Sequence, residues 1–312
     1  MTSKYKKKKV AVILGFYNGN KYIKEQIKSI LDQTFNNIDI FIFDDQSKEK
    51  IELNKLKNNN KNKIKIIKRK ENVGYAKNFL LGLKEAGSNY DFYAFSDQDD
   101  IWEKDKIIRG IDALNSTKSK FPMLYFSRTT YYNFDCSIEI GSSKIHPQKP
   151  TFANSLLQNI AGGNTILMNK FARQLVVKTL NAEKFISHDW WCYQIIAGAG
   201  GKVIFDKNKT VKYRQHGHNL IGKNNGFQDI KTRILEFVSG KVRKWSNVNS
   251  KNLIKYKYLL EKDNIEVLET FLKARRSKNF LKKLYYYFKS GVYRQSKKES
   301  LIFAIGLLFN MI

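Results

Sequence analysis

Four short apolar runs punctuate the first hundred residues: VAVILGF at 10–16, IDIFIF at 38–43, IKIIK at 64–68 and FYAFS at 92–96. They are rich in β-branched and aromatic residues and too short for buried helices, so they read as strands covered on both faces, the pattern of a parallel sheet. Between the first two, Ile23, Ile27, Ile30 and Leu31 share one helical face, with Asn20 placed to cap it. Between the last two, Phe79, Leu80 and Leu83 repeat the pattern. Strand and helix alternate as βαβαβ, so the expected class is α/β: a Rossmann-like, mostly parallel central sheet flanked by helices.

Ligands of such sheets bind beyond the carboxyl ends of the strands. The segments there are YNGN, DDQS, KRKENVGYAKN and SDQDD, four polar loops on one edge. The last is anomalous. The chain holds 57 Lys plus Arg against 28 Asp plus Glu, yet it places Asp97, Asp99 and Asp100 within four residues. Converging carboxylates push one another toward protonation unless a cation neutralises them. Two readings stand side by side: a hard-oxygen site for Mg²⁺ or Mn²⁺, or a helix cap in which Asp99 or Asp100 precedes IWEKDKI and Glu103 completes a capping box.

Residues 120–220 mix strand-like segments (MLYFS, KVIF, TVKYR), a glycine loop AGGNT at 161–165 and a helical pattern from Lys170 to Leu180. The motifs HDWW and YRQHGHN close this stretch. No proline-rich linker divides it from the first part, so 1–224 reads as one catalytic unit. From 225 to 312 helical spacing dominates. Residues 273–298 hold ten Lys or Arg and no acid, and the chain ends in LIFAIGLLFNMI. Cations interleaved with aromatics before a tail too short to span suit an interfacial membrane anchor; a helical subdomain packed on the core is the alternative.

A net charge of +29 points to an anionic partner: nucleic acid, an anionic leaflet or a phosphorylated substrate. Nucleic acid leaves SDQDD and HDWW unexplained, since both repel phosphate without a metal, and none is expected. The lysine-rich start before Val10–Phe16 resembles a signal peptide, but the apolar run is short and reads better as a strand. The two cysteines, Cys136 and Cys192, lack the spacing of a zinc site or disulfide framework and read as buried thiols in a reducing compartment.

Taken in order, VAVILGFYNGNKYIKEQIKSILDQT, IFDDQS, ENVGYAKN, FSDQDDIW, HDWW and YRQHGHN resemble the family 2 glycosyltransferases of the GT-A fold, above all the rhamnosyltransferase-like members that build bacterial surface polysaccharides. The resemblance covers about residues 8–222 and implies a nucleotide-binding half at 8–100 and an acceptor half at 101–224. It implies an inverting enzyme that uses a nucleotide-diphosphate sugar with Mn²⁺ or Mg²⁺. Asp97 and Asp99 then look like the acids of the DxD motif, Asp99 the metal ligand and Asp97 near the ribose or the metal's water. Asp44 and Asp45 look like acceptors for the base N3–H of uridine or thymidine, or else they form an ordinary capped turn. Tyr17, Asn72, Gly74 and Lys77 fall in the family's nucleotide loops, Lys77 where many relatives carry arginine.

Asp189 stands where the family keeps its catalytic base, with His188 in place of the usual preceding acid. Gly163, Asn164, His188, Trp190 and Arg214 are implied near diphosphate or acceptor, with one of Trp190 and Trp191 filling the core instead. His216 is implied as a metal ligand, and His218 is a weaker candidate. The resemblance implies L-rhamnose from dTDP-rhamnose, with a UDP-hexose as the competing donor. The acceptor would be a hydroxyl of a lipid-linked oligosaccharide, at the inner face of the plasma membrane.

Overall fold

The computed structural model describes residues 5, 7–53, 63–115, 120–216, 235 and 237–312. The expected boundary at 224 and the end of YRQHGHN, His218 included, lie outside the described residues.

The first four strands form where the apolar runs place them: β1 (Val10–Phe16), β2 (Ile38–Asp44), β3 (Ile64–Lys68) and β4 (Phe92–Ser96). Helices α1 (Ile23–Leu31) and α2 (Tyr75–Glu85) lie between them. Five further strands complete a nine-stranded sheet: β5 (Ile101–Trp102), β6 (Met123–Tyr132), β7 (Glu139–Ser142), β8 (Leu167–Asn169) and β9 (Lys202–Arg214), in spatial order β3-β2-β1-β4-β8-β6-β9-β5 with β7 on β6. Strands β1 to β4 pair in parallel, and β6 and β9 continue that direction. Only β8, β5 and β7 run against it.

KVIF and TVKYR are therefore one long strand, not two, its register with β6 slipping around Arg128. Helices α3 (Lys106–Leu114), α4 (Phe152–Ser155), α5 (Lys170–Val177) and α6 (His188–Gly198) cover the sheet. Successive residues of a strand face opposite sides. Accordingly Val10, Val12 and Leu14 pack with Ile23, Ile27 and Ile30 of α1 on one face, while Ala11 and Ile13 join Phe79 and Leu83 of α2 on the other.

That second core continues through Trp191 into the last helices, α7 (Lys241–Lys255), α8 (Lys262–Arg276), α9 (Phe280–Lys289) and α10 (Lys297–Leu308), with Leu253, Phe271 and Phe303 all buried in it. The basic tail thus packs its apolar stripe on the core, as the second reading of it expected. It also leaves Leu281, Tyr285 and Phe288 of α9 exposed.

Three local expectations are corrected. Asn20 does not cap α1; its side chain donates to Lys50 O at 2.9 Å and accepts from Glu52 N at 3.2 Å, tying down the following loop. Asp99 and Asp100 cap no helix, because β5 follows them and α3 starts only after Asp105. Cys192 is buried, but Cys136 is only half-buried.

Candidate active site

All six parallel strands end on one edge, and β8, running the other way, begins there. This edge gathers Tyr17, Asp44, Asp45, the loop after β4, the turn before β8 and Arg214.

Beyond β2 and β3 the acids first serve the backbone. Asp44 Oδ1 accepts from Ser47 N at 2.8 Å. Asp45 receives Val73 N at 2.8 Å and Gly74 N at 2.9 Å on its two oxygens, and Asn72 Nδ2 donates to Asp45 O at 3.0 Å. The DDQS turn and the Asn-Val-Gly turn are thereby one unit, and Gly74, at φ +80°, supplies the left-handed backbone that opens α2. Tyr17 is held through its backbone, N to Gln98 Oε1 at 2.8 Å and O from Gln98 Nε2 at 3.1 Å, so its ring stays half exposed. Lys77 is exposed on the first turn of α2.

The loop after β4 is an electrostatic strain point. Burial pushes the Asp97 carboxyl up to about 7, helped by the charges of Asp99 and Asp189. Asp99 Oδ2 lies 2.8 Å from His216 Nε2, and the imidazole stacks on Tyr22. Asp100 is fully buried; desolvation, then Asp99 and Asp97, raise its pKa well above the carboxylate range. Its Oδ2 accepts from Asn164 Nδ2 at 2.6 Å and its Oδ1 from Arg214 N at 3.4 Å. Behind it Lys106, buried 3.8 Å above the Trp102 ring, is pushed down to about 7 by desolvation, which Asp100 opposes.

A divalent cation fits this donor set. Carboxylate oxygens and an imidazole nitrogen suit Mn²⁺ or Mg²⁺, and the raised Asp97 is what a cation would reverse. Among the described residues no group of three His, Cys, Asp or Glu side chains is arranged to hold a metal alone. The remaining positions would fall to oxygens of a ligand.

Across the edge, Asp189 opens α6. Its Oδ2 accepts from Gly163 N at 3.1 Å and its Oδ1 from Trp190 N at 2.7 Å. Asn164 follows Gly163 and holds Asp100, so this one turn ties Asp189 to the acidic loop. Gly163 is required by contact, since a Cβ there would lie 2.6 Å from His188 Nε2.

Two residues expected near diphosphate or acceptor are buried at this edge and engaged by the protein itself. His188 is buried, stacked on Phe79 at 4.1 Å with neither ring nitrogen bonded, and burial pushes its pKa down to about 4. Its ring packs against the Gly163 turn, whose amide holds Asp189. Arg214, 2% exposed, spends its guanidinium on Asp99 O, Phe134 O and the Glu25 carboxylate, a clamp between α1 and both loops. Trp190 is partly exposed and donates to Ser155 O at 2.7 Å, whereas Trp191 is the core member of the pair.

The pattern of residues did not signal Tyr75, whose hydroxyl donates to Ile186 O at 2.9 Å. Burial, then Asp189 and Asp97, raise its pKa to about 12. Tyr75 therefore spans both halves of the cleft.

A parallel GT-A sheet with an acidic loop beyond β4 and a second carboxylate across the edge defines the class of a glycosyltransferase. The family model described as glycosyl transferase family 2 matches residues 11–169. The chain is 31% identical over 226 residues to the dTDP-rhamnosyl transferase RfbG of Shigella flexneri, an alignment covering 68% of this chain and 74% of that protein. It is 29% identical over 175 residues to the UDP-Glc:alpha-D-GlcNAc-diphosphoundecaprenol beta-1,3-glucosyltransferase WfgD of Escherichia coli, covering 54% and 65%. The structure of S. aureus TarS 1-349 in complex with UDP-GlcNAc matches with a TM-score of 0.55 at 17% identity, over 97% of this chain and 81% of that one. The chain belongs to glycosyltransferase family 2.

Proposed function

We propose that this enzyme is an inverting, divalent-metal-dependent hexosyltransferase that moves L-rhamnose from dTDP-rhamnose to a hydroxyl of a lipid-linked surface glycan at the cytoplasmic face of the membrane. One observation carries the chemistry: Asp97, Asp99 and His216 gather at the end of β4, within electrostatic reach of Asp189 across the edge. The likeness to RfbG supports the rhamnosyl donor. WfgD supports a second reading, a UDP-hexose donor, and its diphosphoundecaprenol substrate supports a lipid-linked acceptor. No helix among the described residues is long and apolar enough to cross a membrane.

In this reading Asp99 and His216, with Asp97 beside them, would hold the cation, which when bound would offset charge growing on the departing nucleotide diphosphate. Asp44 and Asp45 present their free lone pairs to the base, while Asn72, Gly74, Lys77 and the Tyr17 ring border the nucleotide. Asp189, fixed by the Gly163 and Trp190 amides, takes the proton of the acceptor hydroxyl as that oxygen attacks the anomeric carbon from the face opposite the diphosphate. Gly163, Asn164 and Trp190 shape the acceptor side. Arg214 and His188 position the loops.

Calorimetric titration with TDP and UDP, with and without Mn²⁺, tests the site. Metal-dependent binding that Asp99→Ala abolishes is expected, with TDP the tighter ligand. Tighter UDP would select the second reading, and a folded protein that binds neither nucleotide would overturn both.

A further inference from the structure

Away from the carboxylate cleft, the C-terminal helices form an open pocket of about 370 Å³ between the end of α8 and the start of α9. Arg275, Arg276, Lys278 and Lys283 line it together with Phe280 and Leu308. Among the described residues none of these four cations pairs with a carboxylate. Arg275 donates to Ser250 Oγ at 3.2 Å and Asn247 Oδ1 at 2.7 Å, and its buried Nε has no partner. Lys283 donates to Leu307 O at 3.1 Å and Asn310 Oδ1 at 2.5 Å.

Neutral acceptors do not cancel charge. Burial, then Arg243 and Arg276, push the Arg275 pKa down to about 10, and burial and Arg243 lower Lys283. The last turn of α8 accounts for Arg275 and Arg276 as partners of a helix C-terminus. The last turn of α10 likewise holds Lys283 through Leu307 O, but neither helix end accounts for Lys278 or for the open volume among the four cations. The start of α9 adds the positive end of its dipole to the same space.

We infer that this pocket is a binding site for the phosphate of an anionic lipid headgroup. A free phosphate would satisfy the cations equally well, but the apolar surroundings select the lipid. Phe280 in the wall is 56% exposed, and the neighbouring Leu281 and Phe309 are 72% and 68% exposed. Apolar side chains beside a cationic pocket match acyl chains beside a phosphate. The inference rests on the membrane-surface part of the proposed function and names the residues that make the contact; it shares none with the glycosyl-transfer site.

The test is co-sedimentation of the full chain with vesicles of phosphatidylcholine alone or mixed with phosphatidylglycerol. The variants are Arg276→Glu with Lys278→Glu, and, as a charge-matched control on the same surface, Lys282→Glu with Lys289→Glu. Wild type is expected to sediment with the anionic vesicles only, and the pocket variant to lose at least about tenfold more partitioning than the control. Thermal melts and TDP titration, both unchanged, show that the variants are folded with the donor site intact. Equal losses would replace the pocket with a diffuse field and overturn the inference while leaving membrane contact standing. No vesicle binding by wild type would overturn both. Calorimetric binding of inorganic diphosphate, lost in the pocket variant but without vesicle binding by wild type, would assign the pocket to a soluble anion instead.

Discussion

His188→Leu offers a direct measure of how the family's acidic pair has been rebuilt here. The imidazole is wholly buried against Phe79, Phe95 and Tyr75, and its pKa is depressed from 6.5 to about 4. A histidine that must stay neutral in the fold but can charge when unfolded stabilises fully above about pH 6.5 and loses that contribution as pH falls toward the folded value. The shift is about 2.5 units, and at about 1.36 kcal/mol per unit the whole effect is about 3.4 kcal/mol. Integrated from about pH 8, the loss is about 2 kcal/mol by pH 5 and about 3 kcal/mol by pH 4. Leucine fills a similar volume and does not titrate. Urea unfolding of both proteins across this range gives a difference curve in which the other titrating groups cancel. The variant should gain on wild type by those amounts as the solution is acidified. Parallel curves, agreeing within about 0.5 kcal/mol, would show that the ring is solvated or protonated in the fold and that the account of its burial is wrong.

Other expectations follow from the same geometry. Asp189→Asn should bind TDP or UDP like wild type while sugar transfer falls by about 10²- to 10⁴-fold; substantial residual transfer would remove Asp189 from the role of base. Asn164→Ala strips Asp100 of its 2.6 Å donor and should cost about 1–3 kcal/mol in urea unfolding, with an unchanged midpoint counting against the buried link. Gly163→Ala drives a methyl toward His188 and should displace the amide that holds Asp189, lowering turnover with nucleotide affinity intact. A loss of nucleotide binding instead would mean that the turn serves the donor.

The first four strands were legible because strands buried on both faces leave near-continuous apolar runs, and their loops had to share one edge. The acids of SDQDD stood out against a basic chain. What the sequence hid was the division of labour among them. Asp100 is spent internally on Asn164 and Arg214, and no local pattern reports that a carboxylate three residues from Asp97 faces inward. Arg214 looked like a diphosphate contact because its loop belongs to the site, yet its carboxylate partner, Glu25, is 189 positions away. Asn20 and the supposed cap before α3 misled for a simpler reason: a polar residue before a helix also suits a loop clasp, and only tertiary contact decides between them. His188 reads from its motif as a residue near diphosphate or acceptor, whereas aromatic neighbours from α2 and β4 make it a core residue.

The reversed direction of β8 has an evolutionary consequence. A sheet made only of parallel strands with crossovers would present to its working edge nothing but strand ends and the starts of helices. By entering that edge from outside, the short strand delivers the turn at 163–165 between β4 and β6, anchored to Asp100 on one side and Asp189 on the other. Of the preceding stretch, the largely exposed turn at 135–138 can vary in length without moving β1, β2 or β4, whereas β7 and the buried Phe152, Asn154 and Leu157 are held by the sheet and the core. Descendants of this architecture can reshape that turn while inheriting the rest of the sheet edge unchanged.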